Sequence, residues 1–181
     1  MTRTQAEPVR ILLAEKQHLK WIPAIELAGA SLFTESDLPQ NIRHRVTDLK
    51  TLLEAQVEHR LWIALNSTNK AVGFAMVDVV DGMAHLDELD VVPEYGRRGI
   101  GSRLLQEVRD WAASNGYQAL TLVTFRHLPW NAPFYEKFGF IEVDKMELGG
   151  GLANLIEEEA RVGINIRNRI AMKLSINNED S

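Results

Sequence analysis

Val91-Val92-Pro93-Glu94-Tyr95-Gly96-Arg97-Arg98-Gly99-Ile100-Gly101-Ser102 is the stretch that decides the fold. An apolar, strand-like run stops at Pro93. A loop with two arginines and two glycines follows, and a helical pattern starts at once. Amides at such a helix start have no intrahelical partner, and the helix dipole adds partial positive charge. Gly99 and Gly101 let a ligand approach the backbone, and Arg97 and Arg98 can add charge-assisted hydrogen bonds. This is a phosphate cradle in sequence form. Two common phosphate motifs are excluded. A P-loop ends in Gly-Lys-Ser/Thr, and Gly101-Ser102 lacks the lysine. A dinucleotide fingerprint needs a third glycine where Leu104 stands. The competing reading is a solvated basic turn between a strand and a helix.

The chain has 181 residues, 45% hydrophobic and 25% charged, which suits one soluble domain with a full core. A single domain is expected over 1–181, with frayed ends at about 1–7 and 177–181. The formal net charge of −5 argues against nucleic-acid binding. The absence of cysteine removes thiolate metal sites and a cysteine acyl-enzyme, and it suits a cytoplasmic setting. No apolar run reaches the ~18 residues of a membrane span. The five histidines show no metal-ligand spacing, so no metal is expected.

Strands are expected over 9–14, 60–65, 71–80, 84–92, 120–125, 140–143 and 170–176. Helices are expected over 16–33, 43–59, 99–115, 129–138 and 151–161, with Val46, Leu49, Leu53 and Val57 on one stripe of the second. Asp81-Gly82 marks a hairpin. Hairpins beside one crossover unit give a mixed α+β fold, not a doubly wound one. The run Gly149-Gly150-Gly151 is either a hinge or a plain loop.

Two motifs together carry a family likeness. The segment Leu89 to Leu105 resembles the pattern Gln/Arg-x-x-Gly-x-Gly/Ala of the GNAT superfamily of acyl-CoA-dependent N-acetyltransferases. Asn131-Ala132-Pro133-Phe134-Tyr135-Glu136-Lys137-Phe138-Gly139-Phe140 resembles that family's Phe-Tyr-Glu-Lys-x-Gly-Phe segment. The likeness implies a mixed central sheet of six to seven strands flanked by helices. Gly96 stands where the family carries Gln or Arg, so Arg97 or Arg98 supplies the charge. Leu128 stands where the family often carries asparagine, and Asn131 takes over a polar cofactor contact.

The resemblance implies transfer of acetyl from acetyl-CoA to a primary amine, directly within a ternary complex. Cofactor contacts fall on Val91, Val92, Arg97, Arg98, Gly99, Ile100, Gly101, Ser102 and Asn131. The strand amides at Val91 and Val92 would polarise the thioester carbonyl. Tyr135 matches the tyrosine that protonates the leaving thiolate, against the alternative of a core tyrosine. Glu88 matches the family's carboxylate base. Asp87 and Asp90 flank it, and like charges this close raise at least one pKa. His85 is read as a surface histidine, with proton shuttling as the alternative. Trp130 and Phe33 either line an acceptor pocket or pack in the core. The acidic residues favour a small cationic acceptor, and a homodimer is compatible with the chain. The alternatives are a protein lysine or N-terminal acetyltransferase, and a non-catalytic acyl-CoA sensor or docking module.

Overall fold

A computed structural model describes residues 8–176, so the expected frayed ends lie outside the described residues. Strand β1 (Arg10–Leu13) leads through a 3-10 stretch, Lys16–Trp21, into α1 (Ile22–Ala30). Pro23 sits in the first turn of α1, where its missing N–H leaves no bond unmade. The buried stripe of α1 is Ile22, Ile25, Glu26 and Gly29, while Leu27 faces outward.

A short α2 (Gln40–Arg43) precedes α3 (Leu49–Val57). The helix expected over 43–59 starts late because Asp48 is extended and caps the Thr51 N–H at 3.0 Å. Its expected stripe is also displaced. Val46, Leu49 and Val57 are exposed, and Leu52 and Ala55 are buried.

Strands β2 (Leu61–Leu65), β3 (Ala71–Val80) and β4 (Met83–Val91) follow. Asp81 and Gly82, at φ 52 and 73, join β3 to β4 with the paired positive φ of a type I′ turn. Next come α4 (Ile100–Ser114), β5 (Ala119–Phe125), α5 (Ala132–Glu136), β6 (Ile141–Glu142), α6 (Gly150–Arg161) and β7 (Arg169–Ser175). The strands form one mixed sheet of seven in the order β1-β2-β3-β4-β5-β7-β6. The β4–β5 pair is parallel, and β1–β2, β2–β3, β5–β7 and β6–β7 are antiparallel. No helix among the described residues is long and apolar enough to cross a membrane.

The chain divides into two compact units. The first comprises the residues up to Leu32, His44–Val77 and Glu88–Val108. Its core joins Ile22 and Ile25 of α1, Leu52 of α3, and Leu61, Ile63, Phe74 and Met76 of β2 and β3. The second comprises Phe33–Arg43, Asp78–Asp87 and the chain from Arg109 onward. There Phe125, Leu128 and Ile164 are buried under Phe33, Leu38, Ile42 and Val162.

In the second unit Asp81 also holds the start of α6. Its carboxylate accepts from the Gly151 N–H at 2.8 Å and the Leu152 N–H at 3.1 Å. A Cβ on Gly149 would collide with that carboxylate, and one on Gly151 would lie 2.7 Å from Val80 Cγ1. The glycine run is therefore a tightly held helix start rather than a plain loop.

Candidate active site

In the first unit, β4 ends at Val91 and a 3-10 turn, Pro93–Tyr95, follows. The turn is closed by Tyr95 N–H to Val92 O at 2.9 Å and Gly96 N–H to Pro93 O at 3.0 Å. Asn66 Nδ2 donates to the Tyr95 hydroxyl at 3.0 Å, which ties the turn to the β2–β3 loop. The backbone then passes through the left-handed region at Arg97, φ 60, and again at Gly99, φ 77. Arg98 lies 4.8 Å over the Tyr95 ring and donates to Glu94 O at 2.9 Å. Both arginines are exposed.

The Arg103 N–H bonds Gly99 O at 3.1 Å. The amides of Ile100, Gly101 and Ser102 precede that bond and have no intrahelical carbonyl to reach. The Ile100 side chain is buried, so what it offers a ligand is its amide. A Cβ on Gly99 would meet nothing within 4 Å, so the space beside the loop is open. Free amides, open backbone and two exposed guanidinium groups fit the pyrophosphate of an acyl-CoA.

Val91 and Val92 are half-buried. The Val92 N–H already bonds Val72 O at 2.9 Å, and its side chain packs into the first unit's core. That amide is committed to the sheet, which corrects its expected role as a donor to the thioester.

Among the three carboxylates of β4, Asp87 is exposed, while Glu88 and Asp90 are half-buried. Burial pushes the Asp90 carboxyl up to about 7, with the charge of Glu26 adding to the shift. Glu26 is buried on α1. It accepts from the Thr47 N–H at 3.0 and 3.2 Å and from the Thr47 hydroxyl at 2.5 Å. A Cβ on Gly29 would lie 2.7 Å from Asp90 Oδ1, so α1 meets this carboxylate at a glycine. Sequence reasoning looked for the perturbing charge on β4 itself and missed Glu26. The available signal was a glutamate on the apolar stripe Ile22, Ile25, Gly29.

In the second unit Tyr135 lies on α5, 8% exposed, with ring contacts to Phe134 at 5.1 Å and Phe140 at 5.6 Å. Asn131 leads into α5, and its carbonyl accepts from the Phe134 and Tyr135 amides at 2.8 and 3.1 Å. Its side-chain Oδ1 is buried with no hydrogen-bond partner among the described residues. A buried acceptor left unpaired is rare, and this one suits a donor supplied by a ligand.

His85 corrects its surface reading. It is buried, with Nδ1 2.9 Å from Thr121 Oγ1. Burial pushes it down to about 4, against the opposing charges of Asp78 and Asp81. It is a neutral residue of the sheet. His127, read only as one of several scattered histidines, is bonded to Asp37 at 2.8 Å. No group of three or more His, Asp or Glu is placed to hold a metal among the described residues.

A mixed α+β sheet of seven strands, with β4 running into an arginine- and glycine-bearing helix start, defines the class of fold. Residues 30–140 match the Acetyltransferase (GNAT) family, and the chain belongs to it. It is 40% identical over 57 residues to the uncharacterized N-acetyltransferase YhfO of Bacillus subtilis, covering 32% of this chain and 38% of the relative. It is 32% identical over 93 residues to the [ribosomal protein bS18]-alanine N-acetyltransferase of Escherichia coli, covering 51% and 63%. The chain thus spans less than two thirds of the length of either. The PaiA N-acetyltransferase of Thermoplasma acidophilum, solved with coenzyme A, shares the fold with a TM-score of 0.67 at 19% identity. That likeness covers 93% of this chain and 99% of the other.

Proposed function

We propose that the protein is an N-acetyltransferase that moves acetyl from acetyl-CoA directly to a primary amine, with a small cationic molecule as acceptor. The observation that carries this is the loop from Gly96 to Ser102, left-handed at Arg97 and Gly99, ahead of unpaired helix amides. Acetyl-CoA supplies the activated acyl group. The amides of Gly99, Ile100, Gly101 and Ser102, with Arg97 and Arg98, bind its pyrophosphate, and Asn131 Oδ1 accepts a hydrogen bond from an N–H of its pantetheine arm. Glu88 takes a proton from the acceptor ammonium, because only the neutral amine attacks. Tyr135 gives a proton to the departing thiolate, since a phenol with a pKa near ~10 is close to a thiol.

Asp90 is the second candidate for the base, because its carboxyl lies at about 7, where a base is best poised. The relative named for ribosomal protein bS18 alanine makes a protein N-terminal amine the second reading of the acceptor. We place the reaction in the cytoplasm as part of the same proposal, since acetyl-CoA is its co-substrate.

Thiol release from acetyl-CoA across small amines, polyamines and peptide N-termini tests this. Tyr135→Phe is expected to lower kcat by about 10²–10⁴ with the acetyl-CoA KM nearly unchanged. A wild-type kcat returns Tyr135 to core packing. Glu88→Gln and Asp90→Asn, compared on the amine kcat/KM, separate the two bases. Acyl-CoA binding with no thiol released from any amine would instead identify a sensor or docking module.

A further inference from the structure

A buried carboxylate holds an exposed imidazole in the second unit. Asp37 is buried, and its Oδ2 accepts from the Thr34 hydroxyl at 2.7 Å and the Thr34 N–H at 3.2 Å. Its Oδ1 lies 2.8 Å from His127 Nε2, and the His127 side chain is 42% exposed. The Thr34 hydroxyl, with His127 and the Thr34 amide adding to it, holds Asp37 below the usual carboxylate range despite its burial. Asp37 is therefore ionised and can only accept, so His127 Nε2 carries the hydrogen. In the neutral ring Nδ1 then keeps its lone pair, and no described residue bonds it.

One aromatic ring meets this imidazole, and two more continue from it. Phe125 meets His127 edge to face at 5.9 Å, Phe33 meets Phe125 at 5.4 Å, and Trp130 meets Phe33 edge to face at 6.3 Å. Trp130 is 46% exposed, unusual for so large a ring. The nearby cation, Arg169, lies 4.3 Å over Phe125 and is bonded to Glu159, so its charge is already matched.

We propose that His127, held by Asp37, and the rings of Phe33 and Trp130 form a subsite for the ammonium end of an arylalkyl or alkyl amine. This rests on the amine-acyltransferase reading above. The aromatic faces attract the cation and cover its apolar arm. The Nδ1 lone pair accepts a hydrogen bond from the ammonium. His127 touches the amine, and Asp37 is a positioning residue.

The test titrates phenethylammonium into the full chain carrying isotope-labelled histidine. Phenylacetate serves as an anionic control of similar shape. The His127 ring signal, assigned by its loss in His127→Gln, is expected to shift saturably with the ammonium and at least ~10-fold more weakly with the anion. Trp130→Ala is expected to weaken the ammonium about 5-fold. With acetyl-CoA present, His127→Gln is expected to lower kcat/KM for that amine by about 10-fold or more, leaving the acetyl-CoA KM unchanged. Asp37→Asn, which removes the anionic acceptor, is expected to move the pH profile of the same parameter. Equal binding of both probes, no shift with either, or undiminished ammonium binding in Trp130→Ala overturns the subsite. If the ammonium binds at His127 while no amine releases thiol, the subsite stands and the acyltransferase reading falls. If His127→Gln acetylates the amine at the wild-type rate, the subsite falls and the acyltransferase reading stands.

Discussion

Arg97 holds a left-handed backbone, φ 60, while its neighbour Gly96 sits at an ordinary φ of −59. The left-handed position costs a non-glycine residue roughly 1–2 kcal/mol. The loop carries that strain at the residue proposed to contact pyrophosphate, which is where strained side chains tend to be retained. Arg98 is differently held, stacked on Tyr95 and bonded to Glu94 O. Arg97→Gly separates backbone from charge. It is expected to raise thermal stability by about 1 kcal/mol by relieving the strain. It is also expected to raise the acetyl-CoA KM about 10-fold, because a charge-assisted hydrogen bond is worth about 1.5–3 kcal/mol. Thermal unfolding and steady-state kinetics read the two effects on one variant. An unchanged KM detaches Arg97 from the phosphate. A loss of stability shows that the side chain, not the backbone, dominates there.

At the scale of elements, the start of α6 depends on a residue remote in sequence. Asp81 bonds the amides of Gly151 and Leu152 and also occupies a left-handed turn position. Asp81→Asn keeps the turn preference and one acceptor oxygen, whereas Asp81→Ala loses both. Urea unfolding is expected to show a loss of about 1–2 kcal/mol for the alanine variant and clearly less for the asparagine. Equal losses would place the effect in the carboxylate cap rather than in the turn, because asparagine keeps the turn preference. This cap marks the limit of what the sequence makes legible. The Asp81-Gly82 turn, the strand-to-helix junction at Arg97 and the helix from Ile100 are local patterns, and they are readable as such. The pairing of Asp81 with Gly151, of Asp37 with His127 and of Asp90 with Glu26 is set by topology, and no spacing rule announces it. Burial misleads in the same way. His85 alternates like a surface residue in sequence, yet it faces Thr121 across the parallel β4–β5 pair. The Val92 amide could be assigned to a ligand only while its bond to Val72 was unseen.

For the whole molecule, two titratable groups with shifted proton affinity oppose each other in their effect on stability. His85 binds its proton at about 4 in the fold, against a reference of 6.5. Its contribution is fully present above 6.5 and is lost as pH falls through about 4. Asp90 titrates at about 7 in the fold, against a reference of 3.8. Its contribution is fully present below 3.8 and is lost as pH rises through about 7. Between about 4 and 6.5, unfolding therefore takes up a proton at His85 and releases one at Asp90, and the two slopes cancel. Removing either group exposes the other. Relative to wild type, Asp90→Asn is expected to make unfolding free energy rise with pH across this window, by up to about 1.4 kcal/mol per pH unit. His85→Gln is expected to make it fall with pH by a similar slope, and the double variant should run parallel to wild type. Urea unfolding at steps of pH measures these slopes independently of any overall loss from repacking. Single variants that both run parallel to wild type would mean that neither group carries its shifted affinity in the folded chain. Asp90 would then lose the advantage over Glu88 on which its standing as the alternative base rests.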